Sequence, residues 1–466
     1  MKITIMADKH NKKTILTLLE EQGYSLPCNC HGQHHCNGNR YSFDCSLIPK
    51  APMTIDFLPS VDSLSALAFH NKETTAGNGD TLLLDIGTTT VAFALIDKKT
   101  GALRQMSTAA NSLQTYGADV ISRIQASCEG HTREMQSLLI DLMKKETRKL
   151  CSINKQEPSE LLSCYIGGNT TMIHLLMGYC CAPLSGSPFM IEATSPTSFL
   201  YEQCEIFIAP WLSAFIGGDI VAGIHACAMN NANDTNLLLD LGTNGEMVLA
   251  HNGKLYATSV AAGPAFEAGN LQCGCPSISG AIQNVTIRPL RPTIKTIDNK
   301  LPIGLCGSGA ISLCAEFIRK GYVTKDGILT NRFPANGYLL GITDNNKPIL
   351  FTAEDFRQIQ LAVAAVAAGI DSLCHKVGIS ATEINRVYLG GGFGFHLSLE
   401  DGNVLGLFSD LRTEVIEASG NTCLQGLYEC ATKNISLDLT VSVETINLAD
   451  DAYFQKQFIK HMTFPT

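Results

Sequence analysis

The sequence predicts an α/β protein of two lobes, each built on its own sheet, with a small α+β module in front of them. Three observations predict this. The run Leu82-Leu83-Leu84-Asp85-Ile86-Gly87-Thr88 returns as Leu237-Leu238-Leu239-Asp240-Leu241-Gly242-Thr243, and each copy leads into a second apolar run, at 91–96 and 247–250. Read as strand, tight turn and strand, two copies in one frame mark two like units. Segments with helical character follow the copies, at about 117–127 and 132–150 after the first and 353–376 after the second. At 466 residues, 45% of them apolar, the chain is long enough for two or three domains with real cores.

Residues 1–60 read as a module of their own: a strand at 2–6, a helix at 14–22 stopped by Gly23, a cysteine-rich loop and a strand near 53–58. Residues 61–80 read as a linker, because 70–80 is a polar run with two glycines. The first lobe is expected at 81–235 and the second at 236–466, closing with a helix near 450–461. The apolar stretch 361–370 is too short to cross a bilayer and reads as buried helix. No apolar signal core opens the chain, so a cytoplasmic location is expected, with no membrane partner. A net charge of −9 and the lack of a Lys/Arg cluster exclude a nucleic-acid surface.

The repeated turns have the chemistry to hold a polyphosphate. Gly87 and Gly242 let the backbone approach phosphate oxygens, Thr88, Thr89, Thr90, Thr243 and Asn244 offer N–H and side-chain donors, and Asp85 and Asp240 can hold a hydrated divalent cation. A single Asp-Gly-Thr would read as an ordinary hairpin turn, but two copies in the same frame point to a clamp. Gly390-Gly391-Gly392-Phe393-Gly394 ends an apolar strand and leaves room for a base or ribose, or for close helix packing. Gly167-Gly168-Asn169-Thr170-Thr171 opens a helix, so Asn169 and Thr170 either cap it or face ligand. No Walker sequence is present, so a P-loop enzyme is excluded.

Most of the 18 cysteines are scattered singly among apolar residues, where a thiol packs as a small hydrophobe. Cys28, Cys30, Cys36 and Cys45 are different: they lie close together, interleaved with His31, His34 and His35. In a chain of this size without a signal, metal or iron–sulfur ligation is the better reading than disulfides. A strongly reducing or anaerobic host suits so many thiols.

In their order along the chain, these motifs resemble the superfamily of acetate and sugar kinases, heat-shock chaperones and actin. More closely, the chain resembles the ATP-dependent reductive activators of corrinoid proteins. The resemblance covers roughly residues 80–435. It is carried by 85–91, Tyr116-Gly117-Ala118-Asp119 through Ile124, Gly168-Asn169-Thr170-Thr171-Met172 and Gly218-Asp219-Ile220-Val221-Ala222-Gly223. Further on it is carried by Asp240 through Glu246, Ala262-Gly263-Pro264-Ala265-Phe266-Glu267, 304–309 and 391–394.

The resemblance implies a two-lobed, actin-like (ribonuclease H-like) ATPase fold preceded by a shortened ferredoxin-like module. It implies ATP and Mg2+ as cofactors, with Asp85 and Asp240 organising the cation and the attacking water. Thr88, Thr89, Thr243 and Asn244 then hold phosphates, and Gly391, Gly392 and Gly394 receive the adenosine. Glu267 polarises water, holds the metal indirectly or serves a structural ion pair. The implied activity is reduction of cobalt(II) to cobalt(I) on a corrinoid protein of a methyltransferase system, driven by ATP-dependent closure of the lobes and not by phosphoryl transfer.

The family's N-terminal module carries a [2Fe-2S] cluster on a Cys-x5-Cys-x2-Cys loop and a later cysteine. Here Cys30 and Cys36 fit the first two places, Asn39 stands at the third, and Cys45 follows early. A set Cys28/Cys30/Cys36/Cys45, a histidine ligand, a zinc site or loss of the cluster all remain open, and an external low-potential electron donor is then a further partner. A homodimer is one assembly left open. A small-molecule kinase and a non-redox, nucleotide-gated binding protein are the competing functions.

Overall fold

The computed structural model describes residues 2–5, 53–56 and 79–465, apart from 187–188, 192–200, 202–203, 232–233, 290 and 440. Strands Lys2–Ile5 and Met53–Asp56 form an antiparallel pair, matching the two strands expected for the N-terminal module. The cysteine loop with Cys28, Cys30, Cys36 and Cys45 lies outside the described residues, as do the 14–22 helix and nearly all of the 61–80 linker. Asp80, expected to end that linker, instead begins a strand: it is buried and receives Arg104 Nε at 3.4 Å.

The repeat extends beyond the turns to whole sheets. In the first sheet the order is Leu103–Ala110, Thr90–Asp97, Asp80–Ile86, Leu161–Gly168 and Glu205–Ile208, the first three antiparallel and the last two joined in parallel. The second repeats it with Lys254–Val260, Gly245–His251, Asn236–Leu241, Arg386–Gly390 and Ile416–Gly420, and adds Val443–Thr445 at its edge. In both, the strand ending in the repeated aspartate is central and covered on both sides. That position explains its unbroken apolar run, since a strand buried on both faces needs no polar alternation. Leu82, Leu83 and Leu84, like Leu238 and Leu239, are fully buried.

Helices cover the sheets where the 3.6-residue pattern places them. Val120–Ala126 and Thr132–Ile153 stand for the two helical segments of the first lobe, and Met135, Leu139, Met143 and Leu150 line the buried side of the longer one. Ala353–Val377 begins at a capping box, Thr352 with Asp355, and ends at Gly378 in the left-handed conformation. Its 25 residues are long and apolar enough to cross a membrane by length and composition, but 78% of the apolar window is buried inside the molecule. The closing helix is Ala452–Lys460.

The chain does not keep all of its C-terminal half on the second sheet. Helix Thr422–Lys433 returns to the first, burying Leu424, Leu427, Tyr428 and Ala431 with Leu83, Ala92, Ala94 and Ile96. It also crosses helix Gly218–Ala226 closely: a Cβ on Gly426 would stand 2.0 Å from the carbonyl oxygen of Ala222. These two helices pass between the lobes and tie their inner faces together.

Candidate functional site

The two repeated turns open onto one cavity between the lobes. Asp85, Gly87, Thr88, Thr89 and Thr90 line it from the first sheet, and Asp240, Gly242, Thr243 and Asn244 from the second. Glu267, Asn169, Gly391 and Gly392 complete the sequence-expected lining. The turns are unlike in detail. In the first, Ile86 pairs with Val91 and the Gly87 N–H donates to the Thr90 carbonyl at 3.0 Å; in the second, Leu241 pairs with Gly245 and the Gly242 N–H donates to the Asn244 carbonyl at 2.9 Å. The second loop is thus one residue shorter.

Two expected residues stand elsewhere. The Thr170 hydroxyl donates to the Ser213 carbonyl at 2.6 Å and is buried, so it fastens the helix start to a neighbouring loop and does not face the cavity. Gly394 lies in the short helix Gly391–His396 against Leu389, because the chain turns helical at once after Gly390 and rotates this position away. Asn169 does both things the sequence left open: its side chain caps helix Thr170–Met177 by accepting from the Met172 N–H at 3.1 Å, and it lines the cavity. Gly391 has φ +83°, and a Cβ there would stand 2.8 Å from the Leu241 carbonyl and 2.9 Å from Asp240 Oδ1. Only glycine meets both demands without strain.

The structure brings to the cavity acidic residues that the sequence motifs contain without marking a site role for them. Asp219, second residue of helix Gly218–Ala226, and Glu246, just past the second turn, bring the acidic groups on the cavity wall to five with Asp85, Asp240 and Glu267. Burial raises the Asp240 carboxyl to about 7, with Asp85 and Glu267 adding to the effect. Burial likewise raises Asp219, with Asp85 and Asp240 repelling its charged form, and raises Glu246, Asp85 and Glu267. From the returning helix, Asn421 Nδ2 donates to Asp85 Oδ2 at 2.7 Å, and the Cys423 thiol, itself held protonated by burial, also bonds that carboxylate. A Gly-Asp pair opening an apolar helix is a signal that could have found Asp219. Asn421 reads in sequence only as a helix cap, a role it also fills through the Leu424 N–H at 2.8 Å.

Glu267 joins the two turns directly. Its Oε2 accepts from the Thr89 hydroxyl at 2.7 Å and the Thr243 hydroxyl at 2.9 Å, while the two hydroxyls stand 3.2 Å apart. Beside them Phe266 and Phe393 stack at 4.7 Å and 17°, forming an apolar wall next to Gly391 and Gly392. Among the described residues lining the cavity there is no lysine or arginine. A polyphosphate bound here would rely on backbone N–H groups, hydroxyls and an added cation. Among the described residues no three acidic, histidine or cysteine groups converge to chelate an ion. A divalent cation here would have to meet these carboxylates through its own water.

The chain is 26% identical over 416 residues to the corrinoid activation enzyme RamQ of Eubacterium limosum, covering 82% of this chain and 70% of that one. It is 25% identical over 270 residues to the [Co(II) methylated amine-specific corrinoid protein] reductase of Methanosarcina barkeri. That match covers 53% of this chain and 48% of the reductase, so it spans about half the reductase's length. A solved structure, a reductive activator for corrinoid, iron–sulfur protein, superposes with a TM-score of 0.77 at 23% identity, covering 100% of this chain and 79% of that one. Residues 81–232 match the RACo middle region and residues 234–466 the C-terminal domain of RACo, the ASKHA domain; with the repeated turns on two sheets of like order, this chain belongs to the RACo family.

Proposed function

We propose that this chain is an ATP-dependent activator of a corrinoid protein, returning its cobalt from cobalt(II) to cobalt(I). The observation that carries the reading is the meeting of two phosphate-type turns, one from each lobe, at a single acidic cavity. A nucleotide that touches both turns acts on the distance between the lobes, and its hydrolysis releases that constraint. A partner that prefers one lobe arrangement in one redox state is thereby coupled to the nucleotide. For a one-electron step a tenfold shift in equilibrium corresponds to about 59 mV.

In this reading the N–H groups and hydroxyls of 87–90 and 242–244 hold phosphates, and Phe266, Phe393, Gly391 and Gly392 receive the nucleoside. Asp85 and Asp240 face the reacting end, with Asn421 and Cys423 keeping Asp85 aimed. Mg2+ bound there supplies charge neutralisation for the terminal phosphate. Asp219 and Asp240 orient the attacking water, and the one that is ionised accepts its proton. The electron comes from a low-potential donor. The thiols of Cys28, Cys30, Cys36 and Cys45 are a donor set suited to a [2Fe-2S] relay, with Cys28 standing in for the position taken by Asn39.

The test is an anaerobic mixture of this protein, a purified corrinoid protein held as cobalt(II) and a low-potential reductant, followed by visible spectroscopy with and without ATP. Cobalt(I) is expected to accumulate only with ATP and Mg2+. The same yield without ATP overturns the reading. Iron content and electron paramagnetic resonance of the reduced protein decide the relay separately.

A further inference from the structure

We infer that Glu267 is a clasp between the lobes which the terminal phosphate of a nucleotide displaces, and that Arg123 is the positioning residue which then receives its carboxylate. The inference rests on the nucleotide site proposed above, but not on corrinoid reduction.

The first observation is the competition for two protons. Thr89 and Thr243 each have one hydroxyl proton to donate, and both are given to Glu267 Oε2, at 2.7 and 2.9 Å. A phosphate oxygen accepting from either hydroxyl must break a bond to Glu267. Two anions cannot share that seat, since their repulsion is strong inside a poorly hydrated cavity.

The second observation is independent of the first. Arg123 lies directly behind the first phosphate turn and is fully buried. Its Nε donates to the Gly117 carbonyl at 3.1 Å and its Nη1 contacts Met172 Sδ at 3.1 Å, but its Nη2 has no partner. The same Met172 sulfur lies 3.5 Å from Asn111 Nδ2, which holds the Gly87 carbonyl at 2.7 Å, so the guanidinium abuts the back of the turn. Among the described residues Arg123 has no ion pair. A buried guanidinium with a spare N–H and no carboxylate at pairing distance is costly unless an anion reaches it in some working state. Asp119 and, less strongly, Glu267 already act on the Arg123 charge, though neither stands at ion-pair distance. Glu267 then exchanges between the threonine pair and the Nη2 side of Arg123, a move that requires the packing around this fully buried guanidinium to open.

The test is titration calorimetry in Mg2+ with a non-hydrolysable ATP analogue and with ADP. For Glu267→Gln, which weakens the competitor without changing its shape, the analogue is expected to bind roughly tenfold tighter and ADP about as before. Arg123→Met is expected to weaken the analogue roughly tenfold, and that loss is expected to vanish in the Glu267→Gln background, because Arg123 acts only through Glu267. Weaker or unchanged analogue binding by Glu267→Gln overturns the clasp, as does an Arg123→Met loss that persists in the double variant. If Arg123→Met does not fold, Arg123→Lys, which keeps the charge but loses the second Nη, takes its place in the same pair of titrations and must give the same pattern. Wild-type protein that binds the analogue but fails to drive corrinoid reduction sinks the proposed function and leaves the clasp to these titrations. Wild-type protein that binds neither nucleotide overturns both.

Discussion

Asn421 and Asp85, 336 residues apart in the chain, are joined by a 2.7 Å hydrogen bond that reaches from the start of a C-terminal helix to the central strand of the first sheet. The bond fixes the Asp85 carboxylate at the cavity wall. It also makes the helix crossing between the lobes part of the site.

Replacing Asn421 by Asp keeps the cap on the Leu424 N–H but sets a second negative charge against Asp85. ATP hydrolysis is expected to fall roughly 10- to 100-fold with little change in melting temperature. Steady-state ATPase rates and thermal unfolding of the same preparation check this. Unchanged ATPase would mean that the residue acts only as a cap.

Asp85→Asn is expected to lower ATP turnover by at least about 100-fold while nucleotide still binds, since the hydroxyl and N–H donors of the turn remain. Full ATPase turnover by Asp85→Ala would remove this cavity from consideration as the hydrolytic site.

The crowded carboxylates have a cost that depends on pH. Asp240 is raised to about 7 in the folded chain from an ordinary value near 3.8, so the folded state holds a proton that the unfolded chain has released between those values. Folding stability from this group therefore falls as pH rises from about 4 to 7 and stays reduced above. Asp240→Asn is expected to raise stability at pH 8 by about 1–2 kcal/mol, a figure discounted because water reaches the cavity wall, and to have little effect at pH 4. Urea unfolding of both proteins at the two pH values checks the sign. Adding Mg2+ is expected to narrow the gap at pH 8 by neutralising the same charge.

Gly426→Ala tests the lobe crossing. The new Cβ would lie 2.0 Å from a backbone oxygen on the opposite helix, which cannot turn aside as a side chain can. A destabilisation of about 2–3 kcal/mol in denaturant unfolding is expected, together with loss of ATPase, because the crossing carries Asn421 and Cys423 to Asp85. A stable, active variant would show that the helices separate freely.

Much of the fold was legible because the information is local. The strand–turn–strand copies, the capping box before Ala353 and the glycine stop at 378 each act within a few residues, and the elements form where those signals stand. Thr170 and Gly394 were harder: a hydroxyl beside a cap and a glycine after two others read the same whether they face ligand or protein. Only the packing of Ser213 and Leu389 against them decides between the two.

By itself the sequence determined that two like strand–turn–strand units exist, because a repeated apolar run ending in aspartate, glycine and hydroxyl residues marks the same local backbone path twice. The unbroken apolar runs of both aspartate strands fit the central, buried places that the structure gives them. Only the tertiary structure decided that the turns share one cavity, that Thr89, Thr243 and Glu267 meet there, and that Asn421 arrives at Asp85 from the far end of the chain. These are contacts between residues 24 to 336 positions apart. Their geometry depends on how two sheets and two crossing helices pack, and no local propensity encodes it.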